Sequence, residues 1–312
     1  MFNPAPFKKS IVSGVIPLER LEGHAMLIDT HVHTTFSDGL HSPARVVDDA
    51  SSCGIGLLSI TDHDCVDAYP AALELARSHG ILMIPGVELT TKDELGCSCI
   101  HIVGLGVRTD HEVRRVLDRI VEARDASNRA FLENLNRYFE ARHRGWEPVR
   151  GTRPSVFHNT LENARRQGIA ITERELMGVF LTPELWAPIE HEITVDEAVS
   201  FIKEWGGVPV LAHPFDFSND VGLVFKRFLA AGGEAVELCK YRHKERSSVL
   251  DGLSTPQLLK KEREMNEWTI SQAKKHGLRL TMASDHHDER RPMGMDTEEY
   301  GIDVSWLVEL CD

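Results

Sequence analysis

Short apolar runs in this chain end, one after another, in a histidine or an acid. Residues 26–28 lead into His31 and His33, 55–60 into Asp62 and His63, and 81–84 into Glu88. The run 98–103 contains His101, 208–212 is followed by His213, and 278–283 by Asp285 and His287. Helical patterns over 44–53, 69–79, 195–205, 221–231 and 257–276 separate most of these runs. Continuous apolar stretches of this kind, without polar alternation, are parallel strands covered by helices on both faces. A chain of 312 residues suffices for one large barrel or two ordinary domains. In a closed α/β barrel the chemistry collects at the C-terminal strand ends, which is where these polar residues fall.

Local signals support the alternation. Ser42 can cap the helix that Pro43 opens, and Gly54 stops it. Gly80 and Gly277 stop two further helices in the same way. Between residues 110 and 192 the pattern changes to helices alone: a long charged one over 113–139, then 155–168 and 172–180. The expectation is an N-terminal arm over 1–25, a barrel from 26–109 and 193–312, and a helical insertion or lid over 110–192.

Composition narrows the functions available. A net charge of −13 argues against wrapping long nucleic acid, which demands a basic surface, but not against a small anion held by metal ions. No run approaches the roughly 18 apolar residues of a membrane helix, and no apolar stretch follows Lys8 and Lys9 as in a secretory leader. The six cysteines show no framework spacing, so the expected location is a reducing cytoplasm. Oligomeric state is not legible.

The spacing of His31 and His33 puts both imidazoles on one face of an extended segment, where a neutral pair can chelate a divalent cation. Asp38, just before Gly39, can return a carboxylate to the same mouth. Taken singly, each of these residues has a plain structural reading: a hydrogen-bonded core histidine, a turn-capping Asp62, a helix-capping Glu88. Taken together, they would place many costly polar groups in one barrel mouth, and bound metals account for that set.

The motifs His31-x-His33 with Asp38, Thr61-Asp62-His63, Gly86-Val87-Glu88, His101 in His-Ile-Val-Gly, Ala212-His213-Pro214 and Asp285-x-His287 occur in one order. In this the sequence resembles the PHP (polymerase and histidinol phosphatase) family over residues 26–107 and 206–288. The resemblance implies an α/β fold, a distorted seven-stranded β/α barrel, with two or three divalent metals (Zn, Fe or Mn). It implies His31, His33, Glu88 and Asp285 on the first metal. Glu88 (bridging), His101 and His213 would hold the second, and Asp38, His63 and His287 the third. Three divalent ions, less three carboxylates and one bridging hydroxide, leave about +2, a match for a phosphate monoester dianion. That hydroxide would attack phosphorus in line. Asp62 is expected to orient a ligand or the hydroxide, while His286, Glu237 and Asp64 are not distinguished from scaffold.

The expected activity is metal-dependent hydrolysis of a small phosphate ester, a nucleotide or sugar phosphate. Thr152-Arg153-Pro154-Ser155 resembles a phosphate-holding segment of the family's nucleotide phosphatases, with Arg153 fitting and Ser155 in place of a histidine. Glu184-Leu185-Trp186 stands where a substrate-binding Gly-Lys pattern would be. Lys240, Arg242, His243 and Lys244 could restore the missing charge, and Trp186 could stack on a base or simply fill the lid. The alternatives are a histidinol-phosphate phosphatase, an amidohydrolase-like enzyme cleaving C–N or lactone bonds, and a non-catalytic nucleotide-binding module. The last would lack ligands, and none is missing here.

Overall fold

The computed structural model describes residues 26–94, 96–98, 100–151, 156–186, 192–218, 220–244, 250 and 252–311. Its elements run β1 (Leu27–Val32), α1 (Pro43–Cys53), β2 (Ile55–Ile60), α2 (Ala68–Ser78), β3 (Leu82–Thr90) and β4 (His101–Leu105). Three helices follow, α3 (His111–Glu140), α4 (Val156–Arg166) and α5 (Glu173–Phe180). Then come α6 (Val195–Glu204), β5 (Val208–Leu211), α7 (Val221–Ala230), β6 (Ala235–Cys239), α8 (Thr255–His276), β7 (Arg279–Ala283) and the short β8 (Met295–Asp296). The proposed arm, 1–25, lies outside the described residues.

Helix ends follow local chemistry. The Ser42 hydroxyl accepts a hydrogen bond from Arg45 N, Pro43 occupies the first turn, and Gly54 closes α1 at φ 77°. Thr194 and Glu197 cap α6 reciprocally, as Ser254 and Gln257 cap α8.

The strands form one sheet in the order β7-β6-β5-β4-β3-β2-β1-β8. It curls until β1 meets β7: Thr30 Oγ1 donates to Met282 O at 3.1 Å and bonds the Thr281 hydroxyl, and His33 N donates to His286 O at 2.8 Å. Asp29 locks this seam. Its carboxylate accepts from Ser284 N at 3.0 Å, Ser284 Oγ at 2.5 Å and Gly294 N at 2.8 Å, all in the interior. The result is a nearly closed, distorted β/α barrel.

One expectation of the strand reading is corrected. The strands are not all parallel: β4 pairs antiparallel with both β3 and β5. Reversing β4 places its first residue, His101, opposite Thr90, the last residue of β3. His101 therefore reaches the same rim from the start of a strand. Glu88 likewise lies within β3, two residues short of its end.

Helix α3 joins two packing units. Val113, Leu117 and Ile120 pack into the barrel's apolar core with Val195, Val199 and Ile202 of α6. Phe131, Leu135 and Phe139, further along the same stripe, pack with Trp146, Leu161 and Leu176 in a separate cluster. Among the described residues no helix is long and apolar enough to cross a membrane.

Replacing Asp29 by Ala would leave two buried N–H groups and a hydroxyl unpaired at the barrel seam. The expected loss is about 3 kcal/mol, measured by urea denaturation of the metal-stripped protein.

Candidate metal centre

Glu88 stands at the middle of the barrel mouth and is fully buried. Its Oε2 lies 3.2 Å from nitrogens of His31, His33 and His63. Its Oε1 lies 2.8 Å from His101 Nδ1 and 3.2 Å from His213 Nε2. Two acids flank this centre. Asp285 Oδ1 lies 3.4 Å from His33 Nε2 and 3.5 Å from His287 Nδ1, and Asp38 lies 3.2 Å from His33 Nδ1 and 3.3 Å from His287 Nε2. Three strands (β1, β3 and β4), together with the segments after β1, β2, β5 and β7, supply these side chains.

All nine residues named from the motifs therefore meet at one rim. They fall into four overlapping groups of ligand atoms, within 4.8 Å of one another in each: His31-His33-Glu88, His63-Glu88-His101, His31-His213-Asp285 and His33-Asp38-His63-His287. His63 and His213 thus also group with partners other than those the resemblance implies. The fit to divalent ions rests on Glu88 Oε2, which no hydrogen bond satisfies among the described residues despite three nearby imidazoles. A buried carboxylate oxygen left unbonded amid ring nitrogens is arranged for a cation at their common focus, and imidazole with carboxylate suits Zn, Fe or Mn.

Electrostatics without metal show the same design. Burial works to neutralise His31, but Glu88 and Glu237 outweigh it and push its pKa up to about 10. Burial likewise opposes the charge on His33, and Asp285, Asp38 and Glu88 raise it well above the usual range. Glu88 is held well below the carboxylate range: burial raises it, and His31, His63 and His101 prevail. Burial dominates at His63 and pushes it down to about 3. With its pKa raised this far, His31 favours the protonated form in the absence of metal, and a cation bound there displaces that proton.

The residues behind the rim were the hardest to foresee. Glu237, on β6, accepts from His213 N at 2.7 Å and lies 3.0 Å from His31 Nδ1, turning His31 Nε2 towards the centre. Lys244 is buried with its Nζ 2.7 Å from Asp216 and 2.8 Å from Asp285, and Asp216 lies 3.1 Å from His213 Nδ1. Arg291 donates to Asp285 Oδ2 at 2.8 Å and to its carbonyl at 3.1 Å. In the sequence this layer showed as an acid within an apolar strand (Glu237) and as the last cation of the basic run 240–244 (Lys244), which lies behind Asp285. Arg291 gave no signal.

Asp62 does not face the centre through its oxygens. They accept from Thr34 N and Oγ1, both at 2.7 Å, and from Ser37 Oγ at 2.6 Å, pinning the turn that carries Asp38. Gly39 closes that turn, and a Cβ there would come within 2.5 Å of the His33 carbonyl. Among the described residues three non-glycines have positive φ, Asp64 (50°), His213 (21°) and Asp285 (56°), and all lie at the rim. Such strain is held by its surroundings: Arg124 of α3 pairs with Asp64 and donates to Thr90 O at 3.0 Å, while Thr90 Oγ1 lies 3.2 Å from His63 Nδ1. Helix α3 is thereby tied to Asp64 and Thr90, which lie beside the candidate ligand His63.

The expected substrate contacts fare differently. Lys240 donates to the carbonyls of Pro292 and Met293 at 2.9 and 3.1 Å, and Arg242 pairs with Glu262. Both cations are thus engaged with scaffold groups. His286 is held by the Arg291 carbonyl at 2.6 Å. Arg153 and Ser155 lie outside the described residues.

The comparisons with known proteins agree with this geometry. The PHP domain family matches residues 29–204. The chain belongs to the PHP domain family. It is 31% identical to the 5'-3' exoribonuclease Rnm of Salmonella typhimurium over 242 residues, 72% of this chain and 80% of that one. It is 28% identical to the 3',5'-nucleoside bisphosphate phosphatase of Chromobacterium violaceum over 270 residues, 83% and 87% of the two chains. In fold it is similar to a solved structure titled an amidohydrolase from Chromobacterium violaceum. The TM-score is 0.68 at 24% identity, covering 91% of this chain and 97% of that one. This PHP protein is a metal-dependent phosphoric ester hydrolase.

The raised His31 pKa fixes a sign. Its ion pairs stabilise the metal-free fold fully below the ordinary histidine value of 6.5, and that stabilisation is lost as pH rises through about 10. The melting temperature of metal-stripped protein should fall across that window. Metal loading at neutral pH should release protons, read as a buffer-dependent heat by titration calorimetry.

Proposed function

We propose that this PHP enzyme hydrolyses the phosphate monoester of a small nucleotide, including the terminal phosphate of a short oligonucleotide, by attack of water on phosphorus. The observation that carries the reading is the convergence of five imidazoles on the buried carboxylate of Glu88, flanked by Asp38 and Asp285. Similarity to proteins named as an exoribonuclease and a nucleoside bisphosphate phosphatase supports a nucleotide as substrate. The chain's acidity favours short substrates over long nucleic acid.

His31, His33, Glu88 and Asp285 would hold one divalent ion, Glu88, His101 and His213 a second, and Asp38, His63 and His287 a third. When bound, such ions supply positive charge to the phosphoryl oxygens and bring the pKa of water towards neutrality. The protein's own residues do the positioning. Glu237 fixes the His31 ring through Nδ1, and Asp216, held by Lys244, lies against the far nitrogen of His213. Asp62 keeps the Asp38 turn in place without touching the centre.

Exposure sets the direction of approach. His31, His33 and Glu88 are closed off, whereas the side chains of Asp38, His63 and His287 keep 26, 22 and 21% of their surface open. Substrate therefore enters over Asp38, His63 and His287. Arg153 and Ser155 would add contacts to phosphate from that insertion.

A phosphate-release screen over nucleoside monophosphates, 3',5'-bisphosphates, short oligonucleotides, sugar phosphates and histidinol phosphate tests the reading, alongside amide and lactone panels. Turnover of amides or lactones with no phosphate release would refute it. Glu88→Gln should lower kcat by about a thousandfold and reduce metal content per chain. Glu237→Gln should keep the fold and weaken metal affinity by about ten- to hundredfold, measured by competition with a chromogenic chelator.

A further inference from the structure

Arg291 backs Asp285 with one nitrogen and leaves the rest of its guanidinium unused. Nη1 donates to Asp285 Oδ2 at 2.8 Å and to the Asp285 carbonyl at 3.1 Å, and it lies 3.3 Å from His287 Nδ1. Nε and Nη2 share another edge of the planar group. Among the described residues they make no hydrogen bond, yet neither atom is sealed from solvent. The side chain keeps only 19% of its surface open. A largely enclosed cation thus offers N–H donors to water without a protein acceptor.

Covalent geometry places this edge in the mouth. Nε and Nη2 share a carbon with Nη1, so each lies within about 6 Å of Asp285 Oδ2 and of His287 Nδ1. His287 is one of the three open residues over which substrate enters. Burial opposes the charge of Arg291, and Asp285, Asp216 and Asp38, which follow β7, β5 and β1, outweigh it. The backbone is fixed as well. Arg291 N donates to Asp288 O at 3.0 Å, its carbonyl lies 2.6 Å from His286 Nδ1, and Lys240 holds the next two carbonyls. Lys244 already supplies Asp285 Oδ2 with a cation at 2.8 Å, so charge compensation alone does not account for Arg291.

We infer that Arg291 is a substrate-binding residue: it holds Asp285 with Nη1 and forks Nε and Nη2 onto two non-bridging oxygens of the substrate's phosphoryl group. This rests on the monoester reading above. A guanidinium edge matches two phosphate oxygens, and the anchored Nη1 and fixed backbone leave little order to lose on binding. The fork also discriminates. A terminal monoester has three non-bridging oxygens, two for Arg291 and one for bound cations, whereas an internal diester has two in all. Arg291 therefore selects a terminal phosphate over an internal linkage.

The test measures orthophosphate binding by calorimetry on the metal-loaded full chain. Beside it stand KM for adenosine 5'-monophosphate and the affinity, as KM or Ki, for the diester adenylyl-3',5'-adenosine. Arg291→Ala should weaken orthophosphate binding and raise the monoester KM by about ten- to hundredfold, with diester affinity changed less than about threefold. Metal content per chain should stay at the wild-type value, since Lys244 still holds Asp285. Arg291→Lys keeps a cation beside Asp285 but lacks the fork. It should show most of the same loss, so the conclusion does not depend on the alanine variant folding. Orthophosphate bound as tightly by both variants as by wild type reduces Arg291 to a clamp on Asp285 and overturns the inference. An equal loss for monoester and diester overturns it too. A wild-type enzyme that cleaves only the diester refutes the monoester reading instead, and Arg291 then stands or falls on orthophosphate alone.

Discussion

A carboxylate without water is costly, and this barrel buries Glu88 completely while surrounding it with imidazoles. Nearly everything at the mouth answers that cost. The histidines oppose its negative charge, and Glu237 aligns His31. Lys244 and Arg291 compensate Asp285. Beside these acids the pKa values of His31 and His33 are raised, so the cation-free centre favours protonated imidazole. The field that favours protonated imidazole also suits a divalent ion.

The barrel's distortion serves this arrangement. Two antiparallel pairings put the start of β4 on the rim alongside the ends of its neighbours. Asp29 closes the seam where β1 meets β7, so that His31 and His33 face Asp285 and His287 across it. Positive φ at Asp64, His213 and Asp285 concentrates backbone strain at the rim, where Arg124, Asp216, Lys244 and Arg291 hold the neighbouring side chains. Helix α3 carries Arg124 into this network and continues to Phe131, so the rim and the separate apolar cluster around Phe131 share one helix.

Local order was readable because its causes are local. Ser42, Pro43 and Gly54 bound α1 through hydrogen bonds and a φ angle that a few neighbouring residues dictate. Apolar runs located the strands, and motif order located the rim residues. Strand direction was not readable: an apolar segment such as β4 is the same in either sense, and only its pairing with Thr90 and Leu211 shows it reversed. Lys240 and Arg242 illustrate the reverse limit. Their charges suggested substrate contact, yet each found a scaffold partner, Pro292 and Met293 or Glu262, far away in sequence.

By itself, the sequence determined the class of fold and the nine side chains able to face a metal, because strand patterns and ligand types are written residue by residue. Tertiary structure alone decided how those side chains group, which of them are sealed from water, and that Glu237, Asp216, Lys244 and Arg291 stand behind them. The reason is that orientation depends on hydrogen bonds between strands distant in the chain. Glu237 lies 206 positions from His31, and no local pattern can announce a bond across such a separation.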